Sequence, residues 1–120
     1  MANYVDGFVL AVPKKNIQAY RRMAQKAGKI WRKYGALEFR ECAADDLHPK
    51  GSVPFTRMVK ARRSETVFFS YIVFKSRAHR DRVNAKVMKD PSILKDMESK
   101  PMPFDVKRMV YGGFKVLVDL

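Results

Sequence analysis

Cysteine occurs once in these 120 residues, at Cys42, so no intrachain disulfide can staple the chain, and a reducing, cytoplasmic setting is expected. Long apolar runs are missing as well. The longest stretches, Phe8 to Pro13 and Val67 to Phe74, fall far short of the roughly 18 residues that a membrane span needs. Met1 to Asp6 carries no basic leader and no cleavage pattern, so neither membrane insertion nor export is expected. Only two histidines, His48 and His79, are present, and Cys-x-x-Cys, His-x-x-x-His and His-Glu-x-x-His spacings are all lacking. No metal centre is expected. Gly-x-Gly-x-x-Gly, a phosphate-binding loop and a Gly-x-Ser-x-Gly nucleophile turn are missing too, and no cofactor is expected.

Acidic residues are the scarce charge: 12 Asp and Glu stand against 25 Lys and Arg, a net +13. The excess is spread evenly, with 12 basic and 5 acidic residues in 1–60 and 13 basic and 7 acidic in 61–120, so there is no basic tail. Such a charge creates a long-range field favouring anionic small molecules or polyanions. Apolar residues make up 47% of the chain, enough for a packed core and too many for disorder. The length fits one domain over residues 1–120.

Along the chain the hydrophobic period switches repeatedly. Asn3 to Val12, β-branched and aromatic and stopped by Pro13, reads as a strand. From Lys14 to Tyr34 the period becomes helical. Ile17, Tyr20, Met23, Ala24, Ala27, Ile30, Trp31 and Tyr34 share one half of the helix, and Lys14, Lys15, Arg21, Arg22, Lys26, Lys29, Arg32 and Lys33 share the other. Asn16 is a candidate N-cap and Gly35 a candidate left-handed stop. Ala36 to Ala43 reads as a second strand, Ala44 to Pro54 as a loop, and Phe55 to Ala61 as an irregular strand. Thr66 to Phe74 is the strongest strand signal. Ser76 can cap a helix to about Lys89, and Asp90-Pro91 starts another, because Asp suits the cap and Pro the first helical position. After the Lys100–Phe104 loop, Lys107 to Val118 forms the last strand, with Gly112-Gly113 marking a bulge or a close backbone approach.

The order β-α-β-β-α-(α)-β is the split pattern of an α+β, ferredoxin-like sandwich: one antiparallel sheet with helices on one side. The third and last strands are apolar at both parities. Phe68, Ile72 and Phe74 oppose Val67, Phe69, Tyr71 and Val73, and Val110, Phe114, Val116 and Val118 oppose Met109, Tyr111 and Leu117. A second copy of the sheet is the most economical cover for the open face, so a homodimer is expected.

Three groups of residues are candidates for chemistry. Asp6 is an acid inside an apolar strand, at the same parity as Tyr4, Phe8 and Leu10, and a carboxylate there must be paired, protonated or functional. Asp105, Lys107, Arg108 and Tyr111 are its candidate partners, since first and last strands are neighbours in this topology. Arg80 and Asn84 lie one helical turn apart beside the Val83 and Val87 stripe, either bracing the helix or lining a pocket. Cys42 shares parity with Arg40, and a buried, inert thiol is the expectation there.

Tyr4-Val-Asp-Gly-Phe-Val-Leu-Ala-Val-Pro13, Tyr34-Gly-Ala36 with Glu41-Cys42 and Asp45-Asp46, Arg80-Asp81 with Asn84 and Asp90-Pro91, and Met102-Pro-Phe-Asp105 with Lys107-Arg-Met109 and Tyr111-Gly-Gly-Phe114 together resemble the YbaA-like family of short bacterial proteins of unknown function. The resemblance runs nearly end to end. It departs from the family's usual pattern at Tyr71, where Trp is expected, and at Val106, where Gly is expected. The resemblance implies a subunit of the dimeric α/β-barrel superfamily, whose members include small cofactor-independent monooxygenases, haem-degrading enzymes and muconolactone isomerase-like proteins.

The leading expectation is therefore a homodimeric small-molecule-binding protein, or a cofactor-independent enzyme of the monooxygenase-like type, with a pocket between sheet and helices. Tyr4, Asp6, Arg80, Asn84, Asp105, Arg108 and Tyr111 are its candidate residues for an anionic ligand. The alternative is a basic nucleic-acid-associated module reading bases with sheet-borne aromatics. Against it, Ser64-Glu65-Thr66 stands where an RNP1 motif would open with Lys or Arg, Gly and an aromatic.

Overall fold

Near-continuous β-branched and aromatic runs at Tyr4–Pro13 and Glu65–Phe74 build the two central strands of the sheet, β1 and β3, in a computed structural model that describes residues 2–99 and 101–120. The edge strands are β2 (Glu38–Ala43) and β4 (Val110–Lys115), and the order β2-β3-β1-β4 is antiparallel throughout. After a 3-10 turn at Lys14–Asn16 comes α1 (Ile17–Lys33); α2 (Phe55–Met58) precedes β3, and α3 (Arg77–Met88) and α4 (Pro91–Ser99) follow it. The fold is ferredoxin-like.

Register sorts the side chains by face. Tyr4, Asp6, Phe8, Leu10 and Val12 of β1 share the helix-covered face with Phe68, Ser70, Ile72 and Phe74 of β3 and with Phe39, Glu41 and Ala43 of β2. Against this face α1 packs Tyr20, Ala24 and Ile30, and α3 packs Val83 and Val87. Phe74, Leu10, Val12, Val83 and Val87 are wholly buried, each contributing about 1.5–3 kcal/mol relative to an exposed position.

The local signals act largely as the chemistry demands. Gly35 adopts φ +116° and stops α1. Ser76 Oγ accepts the His79 amide at 3.1 Å to cap α3, and Asp90 Oδ1 accepts the Ser92 amide at 2.8 Å to start α4. Gly113 marks a close approach and no bulge: the β1–β4 register runs unbroken, and a Cβ at Gly113 would lie 2.8 Å from Tyr4 Cε2.

Four local expectations are corrected. Phe55–Met58 is a helical turn, because Val59, wholly buried, must drop onto Val9, Ala11 and Val67, and an extended segment would not turn it inward. This turn lies on the sheet face opposite α1, so the chain itself covers part of that face. Asn16 makes no cap; its Nδ2 donates to Pro103 O at 3.0 Å and ties down the loop before β4. The last strand ends at Lys115, where its ladder with β1 stops, and Val106–Arg108 is a 3-10 turn held by Asp105, whose carboxylate accepts the Lys107 amide at 3.0 Å. Cys42 is exposed rather than buried, since it sits on an edge strand opposite Phe69, on the sheet face away from α1 that α2 covers only in part.

Candidate functional site

Asp6 is 1% exposed in the middle of β1, and its partner comes from α3. Arg80 Nη1 donates to Asp6 Oδ1 at 3.1 Å and to the Tyr111 hydroxyl at 2.9 Å, its Nε lies 2.9 Å from Asp81 Oδ1, and its guanidinium stands 4.9 Å from the centre of the Tyr4 ring. Asn84, one turn along α3, accepts from Trp31 Nε1 at 3.0 Å. Burial raises the Asp6 carboxyl above its ordinary value, while Arg80, Asn84 and Tyr111 pull it back. Tyr4, Asp6, Arg80, Asn84 and Tyr111 thus converge, as a filled hub: Tyr111 also stacks on Phe8 with ring centres 4.8 Å apart.

Asp105 and Arg108 do not join them. Arg108 Nη1 and Nη2 donate to the two Glu65 oxygens at 2.9 and 2.5 Å, its Nε donates to Asp105 Oδ2 at 3.1 Å, and Nη1 also reaches Lys60 O at 2.9 Å. The 3-10 turn before β4 places both residues near the start of β3, beyond the last β1–β4 pair, so they cannot reach Asp6. Arg108 holds the Glu65 carboxyl at about 2, well below the usual carboxylate range.

The open space lies elsewhere, between α1 and β2. Ala24 and Gly28 face the sheet from α1 and Ala43 from β2, and these small residues leave a cleft of about 750 Å³. Ile17, Phe39 and Phe68 supply its apolar walls, and Gln18, Arg21, Gln25, Lys29 and Arg32 form its exposed rim. Gly28 lets Phe39 lie flat in the wall, for a Cβ there would fall 2.6 Å from the ring.

Glu41 stands in this cleft opposite Ser70 in the β2–β3 register. Tyr20 donates its hydroxyl to Glu41 Oε1 at 2.7 Å, and Ser70 Oγ donates to the same oxygen. Desolvation raises the Glu41 carboxyl despite these two donors, and burial together with the Glu41 charge raises the Tyr20 hydroxyl. A carboxyl in an apolar cleft, moved toward neutrality and held by two donors, is a suitable group for accepting a hydrogen bond or a proton from a ligand.

None of Tyr20, Glu41 and Ser70 was among the candidates from sequence, although a signal exists. Continuing the inward parity of Phe39 leads directly to Glu41, and Ser70 interrupts an apolar strand on its helix-covered side. Among the described residues no group of His, Cys, Asp and Glu could hold a metal ion, and no helix is long and apolar enough to cross a membrane.

Comparison with known proteins places this geometry in context. The model of a protein family of unknown function, DUF1428, matches residues 3–106. The uncharacterized protein YbaA of Escherichia coli K12 is 50% identical over 117 residues, 97% of each chain. Among solved structures, a dimeric ferredoxin-like protein from an uncultured marine organism matches with TM-score 0.63 and 10% identity, all of both chains covered. A candidate antibiotic biosynthesis monooxygenase from Nitrosomonas europaea matches with TM-score 0.55 and 13% identity over 97% of this chain and 91% of that one.

Proposed function

Because the chain belongs to the DUF1428 family of YbaA-like proteins of unknown function, its site must be read from its own residues, and we propose that it is a small-molecule-binding protein or cofactor-independent enzyme of the monooxygenase-like type. The observation that carries this reading is the cleft between α1 and β2, whose buried end holds the Glu41 carboxyl with Tyr20 and Ser70 on one of its oxygens. In this reading the cleft takes the ligand and Glu41 is its acid–base group. The Asp6–Arg80 hub, with Tyr4, Asn84 and Tyr111, braces α3 on the sheet: Arg80 Nη1 is shared between Asp6 and Tyr111, and Asn84 accepts from Trp31.

The working unit we propose is a homodimer of one domain spanning residues 1–120. Support comes from the sheet face opposite α1: Phe69, beside Phe55 of α2, is still 44% exposed, and beyond α2 Val110 is 40% and Phe114 63% exposed, with Leu117 on the following tail 93% exposed. The solved relative described as dimeric shares the fold. The exposed, free Cys42 fits a reducing, cytoplasmic location.

The test is a thermal-shift screen of small organic acids and neutral ring compounds against the wild-type protein and an Ala43→Trp variant that fills the cleft from its edge. Compounds should stabilise the wild type and leave the variant unmoved. Equal stabilisation of both proteins would remove the cleft from the account. The acid-free α1, with its basic outer face, favours a second reading, nucleic-acid association. A gel shift that is strong at about 50 mM salt and lost near 200 mM would establish it, and no shift at low salt would eliminate it.

A further inference from the structure

The cleft offers different chemistry at its two ends. Its buried end presents a carboxyl oxygen: Tyr20 and Ser70 both donate to Oε1 of Glu41, and among the described residues Oε2 has no hydrogen-bond donor. A ligand group meeting Oε2 must bring its own proton. The middle is apolar, walled by Ala24, Phe39, Ala43 and Phe68, and the cleft's volume of about 750 Å³ exceeds that of a single ring. At the rim Arg21 and Lys29 have no carboxylate partner among the described residues, whereas Arg32 spends its Nη1 on Ala36 O and Leu37 O. A ligand group at this end gains from being anionic, because two unneutralised cations beside an apolar wall attract a carboxylate more strongly than open water would allow.

Together these ends define one class. Resting on the reading of the cleft as the binding site, we propose that it selects an aromatic carboxylic acid bearing a ring hydroxyl, with the hydroxyl donating to Glu41 Oε2 and the carboxylate held between Arg21 and Lys29. The positive field of the whole chain, net +13, brings such an anion toward the rim and makes its capture dependent on ionic strength. A neutral phenol would lack the rim contacts, and an acid without the hydroxyl would leave Oε2 desolvated and unpaired.

Calorimetric titration of the wild-type protein with 4-hydroxybenzoate, benzoate and phenol at pH 7 and low salt tests this. 4-Hydroxybenzoate should bind about tenfold more tightly than either single-ended probe. Glu41→Gln should erase its advantage over benzoate, and the Arg21→Ala, Lys29→Ala pair should erase its advantage over phenol. Circular dichroism of each variant confirms that the fold persists, and Lys29→Ala alone, on the exposed helix face, serves where the double variant does not fold. Equal affinity for the three probes, or no binding by any of them while neutral ring compounds still enter the cleft, would overturn the proposed class and leave the site standing. Binding by 4-hydroxybenzoate that Ala43→Trp does not weaken would overturn the site itself.

Discussion

Arg80 reaches from α3 to within 3.1 Å of the Asp6 carboxylate, joining two residues 74 positions apart across the face where helix and sheet meet. The carboxylate is nearly inaccessible and the guanidinium 14% exposed, so neither has water to fall back on. Removing one partner of such a pair strands the other.

Arg80→Ala should therefore destabilise the protein by about 3–5 kcal/mol near neutral pH in urea unfolding. The deficit depends on pH with a definite sign. Burial already raises the Asp6 carboxyl, and losing Arg80 removes a cause that lowers it, so the folded state holds its proton more tightly than the unfolded one. Stability should recover as pH falls toward the ordinary carboxylate range and decline as pH rises through the raised value. Adding Asp6→Asn should flatten that slope, and a deficit independent of pH would show that Asp6 is not the stranded group.

Glu65 gives the opposite slope. Its carboxyl is held at about 2 by Arg108, against an ordinary 4.5, so its contribution is complete above 4.5 and is lost as pH falls toward about 2. Arg108→Ala should destabilise the protein at pH 7, and its unfolding free energy should fall less than that of the wild type between pH 5 and about 2.5. Parallel curves for the two proteins would contradict the pairing.

Gly28→Ala tests the wall of the cleft. The added Cβ falls 2.6 Å from the Phe39 ring, an overlap of the kind that costs about 1–3 kcal/mol, while the helix regains about 1 kcal/mol of propensity. The net loss should be below about 2 kcal/mol, with ligand affinity changed more than stability. An unaltered affinity would place the ligand away from Phe39.

The dimer is checked by light scattering behind size exclusion. The expected mass is twice 13.9 kDa, unchanged by salt, and Phe114→Asp should halve it because the charge would enter an apolar contact. A wild-type monomer would leave Phe69 and Phe114 in water and remove the barrel.

Much of this fold was legible because local and global signals agree. The element order, the Gly35 stop, the Ser76 and Asp90 caps and the two-sided apolar strands all follow from residue chemistry that acts over a few positions. What escaped depends on tertiary placement. Phe55–Met58 becomes helical through the burial of Val59, and Cys42 is exposed because it falls on an edge strand, on the face that α2 covers only in part. All five residues of the polar hub were readable as candidates, starting from the misplaced acid Asp6, yet the cation on Asp6 is Arg80 of α3 rather than one from the segment before β4. The cleft left a weaker trace. A hollow is made by small residues, and Ala24, Gly28 and Ala43 come together only once α1 lies over β2.

The most direct measurement is backbone amide NMR of the labelled protein titrated with compounds that the thermal screen selects. Shift changes confined to Ala24, Gly28, Phe39, Glu41 and Ala43 are the predicted result. Changes centred on Asp6 and Arg80, or spread along the basic outer face of α1 with the cleft untouched, would contradict the account.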